Sequence, residues 1–176
     1  MKKIKRILMP TNFTVSSLTG AINYLSEAKD TKIELVLVHG HALSDSITEL
    51  LGFDKDDYLE KCYREDFLTA CQIIKTRFEE QVEEIYSDII CSKNNRYIRN
   101  YLKGNKIEKV ILPAHFSYAK LLPNSFCTID LLRDNCQKLN IPIVELSRAQ
   151  SPTPKEQETD SIDNIFFRKD LKNATY

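Results

Sequence analysis

The stretch RILMPTNFT at residues 6–14 has the same pattern as KVILPAHFS at residues 109–117. Each copy has a basic residue, an apolar triplet, proline, two further residues, phenylalanine and a hydroxyl residue. An apolar run that stops at proline is typical of a buried parallel strand, because proline has no amide proton to donate to the sheet. We therefore expect two such strands, each followed by a loop that leads into a helix. If they are neighbours in an open sheet, the crevice at their ends is the expected ligand site.

The rest of the chain alternates between strand and helix patterns. Strands are expected at residues 4–9, 33–39, 88–91, 110–112 and 141–146. Helices are expected at about residues 17–28, 56–86, 95–103 and 125–139, with a variable loop at residues 41–53. This order predicts an α/β fold with an open, five-stranded parallel sheet that is doubly wound, so that helices cover both faces.

Composition and charge argue against several classes of protein. The 176 residues include 25 basic and 25 acidic side chains, so the net charge is zero and nucleic acid is not an expected partner. No apolar run is long enough for a membrane span, and the one after the basic N-terminus is too short for a signal peptide. The five cysteines include no Cys-x-x-Cys pair, which disfavours a zinc ribbon. We expect a cytoplasmic protein with no membrane partner.

The chain is expected to contain one domain, at residues 1–146, and a tail. Residues 147–161 are polar and predict a linker. Residues 162–176 include an apolar cluster of Ile162, Ile165, Phe166, Phe167 and Leu171. Two alternatives are open for this C-terminal segment: it docks on its own domain, or it docks on a partner subunit.

The opening stretch resembles the start of proteins of the universal stress protein family, which reads Ile-Leu-x-Pro-Thr-Asp-Phe-Ser. Residues 7–14 match that phrase, and residues 36–40 resemble the end of the family's second strand. Residues 108–116 resemble its Asp-Leu-Ile-Val-x-Gly-x-His-Gly segment, and residues 131–144 contain pieces similar to its final helix and strand. The resemblance covers about residues 4–146. It implies the Rossmann-like fold of the adenine nucleotide alpha hydrolases.

This chain lacks the glycines with which the family surrounds nucleotide phosphates. Nucleotide-binding members have Gly-x-x-Gly after the fourth strand and a later Gly-Ser or Gly-Thr, because glycine lets backbone amides approach a phosphate closely. Pro113 and Phe116 stand at the first two positions, and proline has no amide proton to donate. The later pair aligns with residues 124–125 or 127–128, and neither contains glycine. The residues therefore argue against ATP bound in the family manner.

We expect a crevice without metal or catalytic residues. The family's aspartate near the adenine is replaced by Asn12. The expected lining residues are Pro10, Thr11, Asn12, Gly40, Pro113, His115, Phe116 and Ser125. His39, His41 and His115 follow strand ends, but the first two would point differently along a continuing strand, so no metal site is predicted. No Gly-x-Ser-x-Gly elbow accompanies Ser117 and His115, and no P-loop is present.

These observations predict a regulatory or stress-response binding module that works through protein contacts, without a cofactor and without enzymatic activity. The last strand is expected at a sheet edge, and the resemblance implies a homodimer formed there by Ile143, Val144 and Leu146. One alternative is a binder of adenosine or an AMP-like adenine nucleotide in a remodelled crevice near Asn12 and Gly40. Another, ranked last, is an enzyme of the wider nucleotide-hydrolase superfamily.

Overall fold

The computed structural model describes residues 3–28, 32–113, 121–147 and 162–166. Its strands are β1 Ile4–Pro10, β2 Lys32–His41, β3 Val82–Ile90, β4 Lys109–Pro113, β5 Ser125–Phe126 and β6 Ile143–Leu146. A 3₁₀ helix at Val15–Leu18 precedes the α-helices α1 Thr19–Glu27, α2 Ile47–Gly52, α3 Lys55–Cys62, α4 Glu65–Arg77, α5 Asn95–Gly104, α6 Ile129–Leu139 and α7 Ile162–Phe166.

Within the described residues, five parallel strands form an open sheet in the order β3-β2-β1-β4-β6. The two strands that end in proline, β1 and β4, are neighbours, which meets the condition for a crevice at their ends. Strand β1 pairs with β2 as far as Pro10 and Val38, but its pairing with β4 stops at Leu8 and Val110. The direction of winding reverses between β1 and β4. This boundary is therefore the topological switch point of the sheet.

Both faces of the sheet are covered, which confirms the doubly wound architecture. Alternate residues of a strand point to opposite faces, and in β1 Ile7 and Met9 join one core while Leu8 joins the other. Helices α1, α3 and α4 pack on the Ile7 side, and helices α5 and α6 pack on the Leu8 side. On the Ile7 side, aromatic residues of α3 and α4 and of the segment between them lie against the C-terminal ends of β1 and β2.

Helix α7 lies on the core that contains Ile7. Phe166 is buried there, and Ile162 and Ile165 are packed against the same core. The described part of the C-terminal segment thus docks on its own domain, which is the first of the two alternatives. Residues 148–161 and 167–176 lie outside the described residues.

The single long helix predicted at residues 56–86 is wrong. Two helices, α3 and α4, lie within residues 55–77, residues 78–81 form a turn, and β3 begins at Val82 rather than at Asp88. No glycine or proline occurs between residues 53 and 103, so the sequence gives no strong breaker signal there. A bulge in β3, where the pairing shifts between Ile33 and Glu34 of β2, also disrupts the regular alternation expected of a strand.

Three other predicted boundaries also change. The expected loop at residues 41–53 contains helix α2. The helix expected at residues 125–139 begins only at Ile129, because its first residues form β5 against β2. The last strand begins at Ile143, since residue 141 donates its amide proton to Cys136 at the end of α6.

Strand β5 crosses the end of β2 in direct contact with its backbone. Gly40 pairs with Phe126, and His41 pairs with Ser125, in antiparallel register. A Cβ atom added at Gly40 would lie 2.5 Å from the carbonyl oxygen of Phe126 and 2.8 Å from its ring. Backbone cannot yield as a flexible side chain does, so this approach requires glycine.

We predict that Gly40→Ala lowers the free energy of unfolding by about 1–3 kcal/mol, the usual cost of overpacking. Gly104→Ala is the matched control, because a Cβ at the last residue of α5 meets no atom within 4 Å. That control is expected to leave stability unchanged or to raise it by up to about 1 kcal/mol. Urea denaturation of the two variants measures the difference, and equal stability would contradict the close approach of β5.

Candidate functional site

The loop after β1 satisfies its own polar groups. The amide of Thr11 donates to the carbonyl oxygen of Val38 at 2.8 Å, which extends the sheet by one residue. The Thr11 hydroxyl accepts a hydrogen bond from the amide of Phe13 at 3.0 Å and lies 2.8 Å from the Ser17 hydroxyl. Asn12 accepts a hydrogen bond at Oδ1 from the Thr14 hydroxyl at 2.6 Å. The side-chain oxygens of Thr11 and Asn12, which were predicted to face a ligand, therefore form hydrogen bonds within the loop itself.

Phe13 anchors this loop in a conformation that few L-residues adopt. Its φ is 59°, in the left-handed region, which costs about 1–2 kcal/mol for a residue other than glycine. Its ring is fully buried, with centroids 5.5 Å from Phe67, 5.7 Å from Tyr63 and 5.3 Å from His39. Burial of a whole aromatic side chain offsets the backbone cost. The family-like Pro-x-x-Phe pattern thus supplies a core residue directly beneath His39.

His39 joins the β1 loop to the segment before α6. Its Nδ1 atom lies 3.1 Å from the Thr11 carbonyl oxygen, and its Nε2 atom lies 3.0 Å from the Ser125 hydroxyl. Because a carbonyl only accepts, Nδ1 carries the proton, and Nε2 of the neutral ring accepts from Ser125. Ser125 Oγ in turn accepts the amide proton of Leu122 at 3.1 Å. Burial lowers the pKa of His39, which the bond to the Thr11 carbonyl partly offsets.

An aromatic cluster lies beside this chain of hydrogen bonds. The His41 ring has its centroid 4.2 Å from that of Tyr58 and is stacked with Phe53 at 5.8 Å. His41 Nδ1 and the Tyr58 hydroxyl are buried atoms, and neither has a hydrogen-bond partner among the described residues. Burial lowers the pKa of His41 and raises the pKa of Tyr58 to about 12, a rise that nearby Ser125 partly offsets. The cluster places helix α3 over the end of β2.

Most of the predicted site residues lie at the C-terminal ends of the strands. Pro10 and Pro113 end β1 and β4, and Thr11 is joined through His39 to Ser125. Gly40 lies under Phe126, so the close approach there is made by the chain itself. Pro113 pairs with Leu146 of β6. His115 and Phe116 lie outside the described residues, so their predicted place in the crevice stays a prediction.

The sequence interpretation omitted the residues that organise this region. The sequence pattern raises only metal binding as a role for His39, and it assigns no role to Phe53 or Tyr58. The expectation that His39 and His41 point differently is wrong, because they occupy alternate positions of β2 and both contact aromatic residues of the same core. The alternation Ile33, Leu35, Leu37, His39, His41 along β2 was the signal that places both imidazoles on that face.

The arrangement contains a serine and a histidine in hydrogen-bond contact, the pair used by nucleophilic hydrolases. The Ser125 hydroxyl is buried, however, and its oxygen already accepts the Leu122 amide. In such hydrolases a third group, usually a carboxylate, orients the histidine. Here the group in that position is the backbone carbonyl of Thr11. The hydrogen bond between His39 and Ser125 therefore links β2 to β5. The Ser125 hydroxyl is not exposed to a substrate in this conformation.

The described part of the chain contains neither a metal-binding cluster nor a membrane-spanning helix. No three His, Cys, Asp or Glu side chains there come together in a group that could hold a metal ion. None of the helices in residues 3–28, 32–113, 121–147 and 162–166 has the length and apolar character needed to cross a membrane.

Comparison with known proteins connects this fold with the universal stress proteins. The structure of universal stress protein UspA from Lactobacillus plantarum matches with a TM-score of 0.50 and 12% sequence identity, over 81% of this chain and 97% of that chain. A universal stress protein family member from Burkholderia pseudomallei matches with a TM-score of 0.46 and 12% identity, over 81% and 95% of the two chains. A family protein from Arabidopsis thaliana, solved with AMP bound, gives 0.42 and 10%, over 87% and 99%.

No protein-family model matches the sequence, and no curated protein sequence matches it. At this low identity, the likeness to UspA concerns the fold alone. The resemblance stated from the sequence is confirmed at that level: the chain has the open, Rossmann-like α/β fold of the universal stress proteins.

We predict that the protein loses stability as the pH falls below about 6.5, the ordinary pKa of histidine. Because the pKa values of His39 and His41 are lowered in the folded state, the unfolded chain binds more protons in this range. The stabilisation is complete above pH 6.5 and is lost towards the folded-state values. A single histidine contributes at most about 1.4 kcal/mol per pH unit.

Urea denaturation between pH 7.5 and 5.5 measures this slope. The variant His39→Gln is expected to be less stable at neutral pH but to have a shallower pH dependence, since it removes one of the two groups. An unchanged slope in this variant would show that His39 titrates normally and is not held as the neutral ring.

Proposed function

We propose that this protein is a regulatory binding module of the universal stress protein type, which acts through protein contacts and does not bind ATP in the family manner. The observation that carries the proposal is the hydrogen-bond chain from Thr11 through His39 to Ser125. It ties the β1 loop to β5 at the end of the sheet, where an open α/β fold offers room to a ligand.

The sequence and the described residues near Pro113 and Ser125 support the same conclusion. A phosphate needs several free backbone amides in a close-fitting loop. Pro113 ends β4 without an amide proton, and the sequence contains no glycine after Gly104. The Leu122 amide donates to Ser125, and the Ser125 amide donates to the carbonyl of Leu122. Two amides of this region are therefore already paired.

The proposal includes a homodimer formed at the edge strand β6. In the described sheet β6 pairs with β4 alone, so its other edge has no strand beside it. Ile143 and Val144 are half-buried, whereas Leu146 is buried and its Cδ1 lies close to Gly20. The contact between subunits is thus assigned to the β6 backbone with Ile143 and Val144, while Leu146 belongs to the core. The cytoplasmic location and the lack of enzymatic activity stay predictions.

The alternative function is binding of adenosine or an AMP-like nucleotide without a phosphate cradle. It requires room for a planar ring near Asn12 and Gly40. The Phe126 backbone and ring occupy the space over Gly40, and Asn12 Oδ1 is bonded to Thr14. A ligand would first have to displace β5, which makes this alternative the less favoured one.

Calorimetric titration with ATP, AMP and adenosine in the presence of magnesium tests the proposal. We expect no binding tighter than a Kd of about 1 mM for any of the three, and no rise in the melting temperature. The variant Asn12→Asp is the matched control, because it restores the family's acid next to the expected adenine position. This variant is also expected not to bind the three compounds. The amides of Leu122 and Ser125 stay paired in it, and the Ser125 hydroxyl stays hydrogen-bonded to His39.

Micromolar affinity for ATP would contradict the proposal. Measurable binding of adenosine or AMP, with an affinity at least equal to that for ATP, would instead establish the alternative function. It would show that the protein has a site for the ring and no phosphate cradle.

A further inference from the structure

Helix α2 exposes an apolar stripe that the fold does not use. None of its residues is buried, and Ile47, Leu50 and Leu51 are 74%, 45% and 84% exposed. These three account for half of the six large apolar side chains that are exposed in the described residues. Single exposed leucines are common, but three at positions i, i+3 and i+4 form one face of a helix. Such a concentration marks an interaction surface.

The protein holds both ends of this helix. Before it, the Ala42 amide donates to the Asn124 carbonyl at 2.9 Å, which anchors the chain leaving β2. After it, Phe53 is stacked on His41, and Asp54 Oδ1 accepts the amides of Asp56 and Asp57 to begin α3. A six-residue helix is not stable alone in water. The anchors therefore present α2 as a preformed helix, which lowers the entropic cost of binding.

The charges around the stripe indicate the chemistry of its partner. Exposed acidic residues precede the helix, lie within it and follow it in the chain: Asp45, Glu49, Asp54, Asp56 and Asp57. The one basic residue in the same stretch, Lys55, is paired with Asp88 at 3.0 Å. A second copy of this surface or an anionic lipid surface would be repelled. An apolar groove bordered by lysine or arginine would complement it.

We propose that α2 docks its Ile47, Leu50 and Leu51 face into an apolar groove, bordered by basic residues, on a different protein. This inference rests on the proposed function, because it names the surface through which a protein-contact module acts. The binding mode is that of an amphipathic helix in a groove, with the apolar side chains as anchors and the acidic residues at the rim.

Photo-cross-linking with the full chain identifies the partner and tests the surface. The photo-reactive residue p-benzoylphenylalanine replaces Leu51, and in the control chain it replaces Leu68, an exposed leucine of α4. We expect a cross-linked protein with the first probe in extracts of the producing cells, and none with the second. A product with two copies of this chain would overturn the proposal, and so would no product or the same product from both probes.

Affinity measurements with the purified cross-linked protein then test the chemistry. We expect Leu50→Ser/Leu51→Ser to weaken binding at least tenfold, and Asp45→Lys/Glu49→Lys to weaken it at least fivefold with a reduced salt dependence. Leu68→Ser is expected to change the Kd less than twofold. Because α2 buries no residue, and Asp45 and Leu68 are exposed, these variants should keep the wild-type melting temperature. An unchanged Kd in either double variant would overturn the proposal.

This test is separable from that of the proposed function. ATP binding together with α2-dependent docking would overturn only the claim about nucleotide binding. A chain that binds neither ATP nor any partner through α2 would overturn only the docking proposal.

Discussion

Strand β1 is paired on both sides and packed on both faces, and the remaining structure is arranged around it. It bonds to β2 and β4, and it sends Ile7 and Met9 into one core and Leu8 into the other. A strand segment that is covered on both faces is expected to be apolar, and Ile7, Leu8 and Met9 fit this expectation. Because its pairing with β4 stops before its pairing with β2, the chain that leaves β1 enters the switch point of the sheet.

The chain's own residues occupy the described part of that point. The Thr11 carbonyl orients His39, His39 accepts the Ser125 hydroxyl, and the Phe126 backbone lies over Gly40. Leaving a buried imidazole nitrogen unpaired costs about 1–3 kcal/mol, so the chain favours the closed arrangement unless a ligand replaces those bonds. If the end of the sheet stays closed, the surfaces that we propose for protein contacts are the edge strand β6 and the exposed helix α2.

The local parts of this structure could be predicted from the sequence, and the parts that depend on tertiary contact could not. The apolar runs of β1, β2 and β4 specify strands, and the prolines that end β1 and β4 specify where the loops after those two strands begin. The region between Gly52 and Gly104 has no breaker, so the division into α3, α4 and β3 was not visible. The short strand β5 exists only because it pairs with β2, and no periodicity indicates it.

The positions of several candidate site residues follow from the sheet topology, whereas their contacts do not. Thr11, Gly40 and Ser125 lie at the expected ends of the strands, because a parallel sheet brings those ends together. Their partners could not be read from the chain, since His39 and Ser125 are 86 residues apart and the bond depends on the path of the segment before α6. The ring contacts of Phe53 and Tyr58 with His41 depend on the position of α3, so the sequence alone does not indicate them.

Nitrogen NMR of the His39 imidazole tests directly whether the chain closes its own crevice. The structure predicts a neutral ring near neutral pH, with the proton on Nδ1 and an unprotonated Nε2, and resonances that do not move when ATP and magnesium are added to excess. A proton on Nε2, or resonances that shift as ATP is added, would contradict the closed crevice and show that the end of the sheet is open to the nucleotide.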